Sequence, residues 1–271
     1  MKKLPIFLFS FLVGILLFWT VIRFVGWQEI KKSILVFTGW QGLLILFLTF
    51  VWLLVINWKW KEILKGEGAD ISFFSILRPG LIGFSLMYLA PTLILGGEIF
   101  RGYVLKKNHS ISWSKGMASV FIDRILDWTT NLLIVFLGMG FFLLKISLLP
   151  KRLGIILGSV FLFWLVGIVF FYTMVFKRES IARFILKFLN YKSQNSEPLE
   201  IEKEIFNFFK IRNIQFWKVF ALAFLEEGVM LLRIWILLSF LGQNINFLAA
   251  LAISGFYYLA TMIPIPASLG V

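Results

Sequence analysis

Long apolar stretches separated by short polar ones dominate the chain, at residues 4–22, 34–56, 71–97, 116–144, 153–176, 214–241 and 247–263. Leu4–Ile22 carries no charge over 19 residues and Leu153–Phe176 none over 24. About 20 apolar residues suffice to cross the hydrocarbon of a bilayer as a helix. Backbone amides in lipid must pair within their own segment, so such runs are helical. The pattern predicts an all-α fold: a polytopic integral membrane helix bundle forming one transmembrane domain over residues 1–271.

The stretch between 176 and 214 is different. Ile181, Phe184, Ile185, Phe188 and Leu189 recur at helical spacing, with Arg183 and Lys187 on the other side. That pattern is a basic amphipathic helix lying on a membrane surface. Ser193–Pro198 reads as a linker and 199–210 as a second short helix, so 177–213 is expected to be a cytoplasmic insertion.

Charge then selects among topologies. Seven single crossings with the N-terminus inside would put the Lys and Arg residues of 177–218 outside. If 79–97 instead enters and leaves by one face, most of the basic residues fall on the N-terminal side, as the positive-inside rule favours. This arrangement places the N-terminus and the 177–213 loop in the cytoplasm. Arg78-Pro79-Gly80, Gly83, Pro91 and Gly96-Gly97 interrupt that segment repeatedly, so a broken, re-entrant path is expected. Gly83–Pro91 is echoed by Gly255–Ala260, followed by Pro264 and Pro266. Paired interrupted segments are what transporter repeats leave in sequence, so a second broken segment is expected near 255–271.

Composition agrees. Sixty per cent of the residues are hydrophobic and mean hydropathy is +0.90, against roughly 45–50% apolar in soluble domains. The 32 Phe and 11 Trp suit lipid-facing walls and interfacial belts. A net charge of +13 is read as Lys and Arg meeting anionic lipid rather than nucleic acid. Met1-Lys2-Lys3 and the apolar run after it resemble a secretory signal, but no small-residue cleavage site follows, so an uncleaved helix is expected. The absence of cysteine excludes disulfides and thiolate chemistry, and His109 is the single histidine. No metal and no cofactor are expected.

Against this background the intramembrane charges stand out, because each costs at least ~2.5–3.5 kcal/mol to insert and so faces a bundle interior or a wet cavity. They form three clusters. In Gly96-Gly97-Glu98-Ile99-Phe100-Arg101, Glu98 and Arg101 share a helix face and the glycines permit close backbone approach. In Asp123-Arg124-Ile125-Leu126-Asp127 two carboxylates lie side by side, which requires a cation, proton or metal between them. Glu226-Glu227 and Arg233 form the third, with Glu226 and Arg233 on one stripe. Each cluster has two readings, an ion pair that staples helices or part of a substrate path. No nucleophile elbow, His-Glu-x-x-His or phosphate loop is present.

Pro91…Gly97-Glu98-Ile99-Phe100-Arg101, then Ser112…Ala118–Asp127, then Ile263–Val271 occur in an order that resembles the transmembrane domain of the lysylphosphatidylglycerol synthase/flippase family and its stand-alone homologues. The resemblance implies a flippase-like module of a prokaryotic plasma membrane, handling an aminoacylated or anionic phospholipid or a polyprenyl-linked lipid. The soluble aminoacyl-transferase domain of the full synthases is not in this sequence, so catalysis by this chain is not expected. Ala267-Ser268 replace a glycine pair of the family's last motif, and the chain stops at Val271, before an acid and helices expected beyond. A C-terminal truncation is therefore expected. The lipid-binding or translocation residues expected are Pro91, Gly96, Gly97, Glu98, Arg101, Asp123, Arg124, Asp127, Glu226, Arg233, Pro264 and Pro266. Arg101 and Arg124 are expected to grip phosphate. Alternative readings are the membrane part of a lysyltransferase, or a non-transporting partner of a separate lipid-modifying enzyme; a homo-oligomer is also compatible.

Overall fold

A 27-residue helix, Trp40–Gly66, is about 40 Å long at ~1.5 Å per residue. This computed structural model describes residues 19–20, 22–89, 96–145, 151–183, 197–210, 212–243 and 245–261. Among them every regular element is helical: α1 Trp27–Leu35, α2 Trp40–Gly66, α3 Phe73–Leu89, α4 Gly96–His109, α5 Trp113–Lys145, α6 Lys151–Lys177, α7 Glu197–Phe208, α8 Ile214–Phe240 and α9 Phe247–Thr261. The all-α membrane bundle expected from the sequence is what forms. Three helical stretches are long and apolar enough to cross a membrane: Trp40–Gly66, Trp113–Phe142 and Gly154–Lys177. Helix α8 is as long as α2 but carries Lys218, Glu226, Glu227 and Arg233. The apolar run at 4–22 lies almost wholly outside the described residues.

Helix ends are set locally. Asn213 caps α8, its Oδ1 accepting from the Gln215 amide at 3.0 Å, the role for which Asn is preferred. Gly68 closes α2 at φ +80°, allowing the Ala69 amide to reach the Leu64 carbonyl at 2.9 Å. Helix α2 begins later than the apolar run 34–56 and continues ten residues beyond it. Its polar final turns face other helices, not lipid, with Lys59 and Glu62 both buried.

Helices α2 and α8 pack antiparallel: Trp40 meets Phe240 edge-to-face at one end, and Gln215 donates to Glu62 at the other. Helix α5 is antiparallel to α2, with Trp60 Nε1 donating to Ser119 Oγ. Helices α3 and α4 form a hairpin whose two feet meet at the α2 C-terminus, where Ile76, Leu105, Ile71 and Ile111 pack around Trp60 and Leu64. The hairpin has limbs at 73–89 and 96–109, a longer stretch than the 79–97 expected to be re-entrant. Helix α3 also continues through Pro79 without ending, since Pro79 and Gly80 are both helical. The expected break at Pro91 lies outside the described residues.

Helix α9 enters from the opposite end, just after α8, with Trp235 Nε1 donating to the Ile245 carbonyl. It lies along α5. Glycines set that separation: a Cβ at Gly138 would come within 2.6 Å of the Leu251 carbonyl oxygen. The second broken segment expected beyond it, with Pro264 and Pro266, lies outside the described residues. The helix expected at 199–210 forms as α7, but its apolar side is buried in protein. Ile205, Phe208 and Phe209 pack with Ile63, Ile122 and Val219. Of the expected surface helix at 181–189 only 181–183 are described. Helix α6 instead presents Phe163, Val166 and Phe170 outward, as a lipid-facing helix does.

Two predictions follow from this packing. Gly138→Ala should lower the detergent melting temperature, costing about 1–3 kcal/mol through overpacking against backbone. Gly140→Ala, with open space at its Cβ, should leave it unchanged or raise it. At the hairpin's feet, burial first and the Glu204 charge second lift the Glu67 carboxyl from its ordinary 4.5 to about 8, with Lys115 opposing. The fold therefore holds a proton that the unfolded chain releases. Stability should fall as pH rises from about 4.5 to about 8 and then level off. Glu67→Gln should flatten that slope in a pH series of thermal melts.

Candidate functional site: a buried ion network

One lysine organises the interior. Lys59, on α2, is completely buried. Its ammonium lies 2.6 Å from Glu226 Oε2, 3.1 Å from Asp123 Oδ1 and in direct contact with Asp127 Oδ1. Three carboxylates from two other helices thus converge on one cation. The cation that the Asp123/Asp127 pair requires is supplied by α2. A buried ammonium without such partners would cost several kcal/mol.

The arginines complete the network. Arg101 Nη1 donates to Asp123 Oδ2 at 2.9 Å, and its guanidinium lies 4.0 Å over the Trp60 ring. Gly83 makes this possible, since a Cβ there would meet Arg101 Cγ at 2.6 Å. Gly80 likewise leaves room for the Asn57 amide. Arg124 Nε donates to Glu98 Oε1 at 2.9 Å and its Nη1 to Asp127 Oδ2 at 3.4 Å. Helices α2, α4, α5 and α8 are therefore joined by charge as well as by apolar packing. Tyr258 of α9 donates its hydroxyl to Glu227.

This network walls a cavity of about 300 Å³, lined by Arg101, Asp123, Arg124, Asp127 and Glu226 among the expected residues. Asn57, Asn131, Glu227, Tyr257 and Tyr258 also line it. Glu98 stands behind Arg124 as its counter-ion. Gly97 packs against Gly83 and Gly96 opens α4. Arg233 departs from expectation: it lies 5.8 Å over the Trp52 ring, while Glu226 pairs with Lys59. Arg101 and Arg124, expected to grip phosphate, both hold carboxylates.

Charge and hydrogen-bonding capacity define what this cavity accepts. Among the described residues, four carboxyl groups, on Asp123, Asp127, Glu226 and Glu227, line the cavity beside two guanidiniums, Arg101 and Arg124, with Lys59 and Glu98 buried behind them. Among the described residues, the acceptors Asn57 Oδ1, Asn131 Oδ1 and Asp123 Oδ1 of the lining, and Glu98 Oε2 behind it, are buried without an aligned donor, against one lining donor, Arg101 Nε, without an acceptor. Asp123 Oδ1 is near Lys59 Nζ but lacks hydrogen-bond geometry. Acceptors are in surplus, so the cavity complements a donor-rich or cationic group. Trp128 borders this cavity and also an apolar groove of about 780 Å³ along α6, where Phe163, Val166 and Phe170 face outward.

Lys59 escaped the sequence reading because Trp58-Lys59-Trp60-Lys61 resembles an interfacial belt. The available signal was Val55, Lys59 and Ile63 at four-residue spacing, an apolar stripe with one charge inside it.

The chain matches the family model described as "Lysylphosphatidylglycerol synthase TM region" over residues 7–271, and it belongs to that family. The match is to the transmembrane, non-catalytic region. A UPF0104 membrane protein of Methanocaldococcus jannaschii is 25% identical over 264 residues, covering 93% of this chain and 76% of the relative. One from Pyrococcus horikoshii is 26% identical over 294 aligned residues, covering 100% and 84%. No solved structure matches. The family and its prokaryotic relatives, with the helical bundle, place the protein in a prokaryotic plasma membrane in a general lipid-handling role.

Removing the central cation should be severe. Lys59→Met leaves three carboxylates facing one another and should cost about 3–5 kcal/mol by detergent melting. Lys65→Ala, at an exposed position in the last turn of α2, should change stability by less than about 0.5 kcal/mol. Glu226→Gln combined with Lys59→Met should recover part of the loss.

Proposed function

We propose that the protein translocates a phospholipid between leaflets without ATP, holding an amine-bearing, aminoacylated headgroup in the ion-lined cavity. The surplus of carboxyl groups and unaligned acceptor oxygens over cations carries this reading. A bare anionic phosphate would meet acids where an ammonium would meet partners. The groove that shares Trp128 supplies an apolar surface for acyl chains, so the headgroup moves through the polar interior while its tails stay in lipid. Entry of the α3/α4 hairpin and of α9 from opposite ends matches the arrangement in which transporters build midplane sites.

In this reading Arg101 and Arg124 position Asp123, Asp127 and Glu98, and do not themselves bind substrate. The end carrying the hairpin feet, α7 and the basic residues around 177–218 is cytoplasmic by the positive-inside rule. A lipid-modifying transferase remains distinguishable by a transfer assay with the purified chain.

The test is translocation in proteoliposomes, comparing labelled lysyl-phosphatidylglycerol with phosphatidylglycerol. Lysyl-phosphatidylglycerol should cross at least tenfold faster than in empty vesicles. Asp123→Asn and Arg124→Gln should each remove most of that rate. Equal rates for both lipids would reject the headgroup assignment, and unaltered rates in both variants would reject the cavity as the path.

A further inference from the structure

A second lipid-directed feature lies elsewhere and shares no residue with the ion-lined cavity. A pocket of about 650 Å³ opens where α6 ends, bounded by α7 and by Phe209, Lys210 and Arg212. Its floor is apolar, with Val175 and Phe209 buried and Phe206 partly so. Its rim is basic: Arg178, Arg183, Lys203, Lys210 and Arg212 all border it and all are exposed.

Glu202, the one acid in the lining among the described residues, does not offset that rim freely. Glu202 accepts from the Ser180 hydroxyl and, at 2.9 Å, from the Ala182 amide. Its two oxygens are thus used in tying α7 to the segment after α6. Arg178 sits in the left-handed region at φ 56°, a conformation that glycine adopts without strain. Arg178 thus places a basic side chain at a turn whose backbone favours glycine.

Position decides the occupant. Helix α6 is the outward-facing apolar helix, and Phe176, 61% exposed, carries its apolar surface up to the pocket's edge. An amphiphile lying along α6 would bring its headgroup to the cationic rim. An acidic headgroup finds five cations there, and acyl chains find the apolar floor and the flank of α6. We infer that this pocket is a resident-lipid site for an acidic phospholipid of the adjoining leaflet, bound through its phosphate and not transported. Such a lipid would bridge the end of α6 to α7, and α7 packs on α2, α5 and α8 around Phe208. Its occupancy is thereby linked to the helices bearing Lys59, Asp123 and Glu226.

The test uses the full chain in neutral detergent, with phosphatidylglycerol, phosphatidylcholine or inorganic phosphate added and bound lipid counted by native mass spectrometry. Phosphatidylglycerol should bind at least tenfold more tightly than phosphatidylcholine, and its binding should weaken with added salt. Arg178→Gln with Lys203→Gln and Arg212→Gln should weaken it at least fivefold. Lys31→Gln with Lys32→Gln and Lys106→Gln, removing the same charge at other exposed positions, should change it less than twofold. Inorganic phosphate at millimolar concentration should not displace the lipid. Undiminished binding in the rim variant would overturn the proposal, as would equal loss in the charge-matched control. Full displacement by phosphate would reduce the pocket to a plain anion site and would equally overturn it. Single Arg212→Glu, read the same way, keeps the test independent of the triple variant's folding.

Discussion

A fully buried ammonium with three carboxylate neighbours is the constraint on which the interior depends. Lys59 satisfies Asp123, Asp127 and Glu226 at once, so α2 is fixed against both α5 and α8. In hydrocarbon the hydrophobic effect gives helices little reason to associate, and packing and polar contacts must supply it. Here an ion network supplies what apolar side chains do not. The same network is too rich in acid for its own cations. A structural staple would close its charge, whereas this one leaves acceptors facing a cavity.

Small residues determine how that network is assembled. Gly80 and Gly83 sit on the limb of a hairpin, and each faces a polar side chain that a Cβ would displace, Asn57 and Arg101. The hairpin thereby approaches α2 and brings α4 close enough for Glu98 to hold Arg124. From the other end, Gly138 lets α9 lie against α5, where Tyr258 reaches Glu227. Two elements of different sequence thus reach one cavity from opposite ends. The short Gly83/Gly255 echo falls at these two close contacts.

The two proposed lipid sites are chemically distinct. In the proposed path the cavity is acid-rich and opens beside an apolar groove at Trp128. At the end of α6 the pattern reverses, with cations around an apolar floor. One polarity suits an amine and the other a phosphate, so a single bilayer would supply both ligands without competition between the two places.

The membrane class, the helical fold and the positions of Glu98, Arg101, Asp123, Arg124, Asp127 and Glu226 were readable from the chain alone. Hydrophobic length enforces helices in lipid, and a charge in an apolar run must have a polar environment. What the chain could not reveal was which charges meet. Lys59 did not stand out because its partners lie on helices 64 to 167 positions away, and no local spacing encodes that. Arg233 shares a stripe with Glu226 yet stacks on Trp52, because packing against α2 turns it there. Arg101 and Arg124 were expected to grip phosphate, and of the two readings open to their clusters the fold realises ion pairs with Asp123 and Glu98. Local pattern decides which residues are driven out of lipid; only helix packing decides which partners they find.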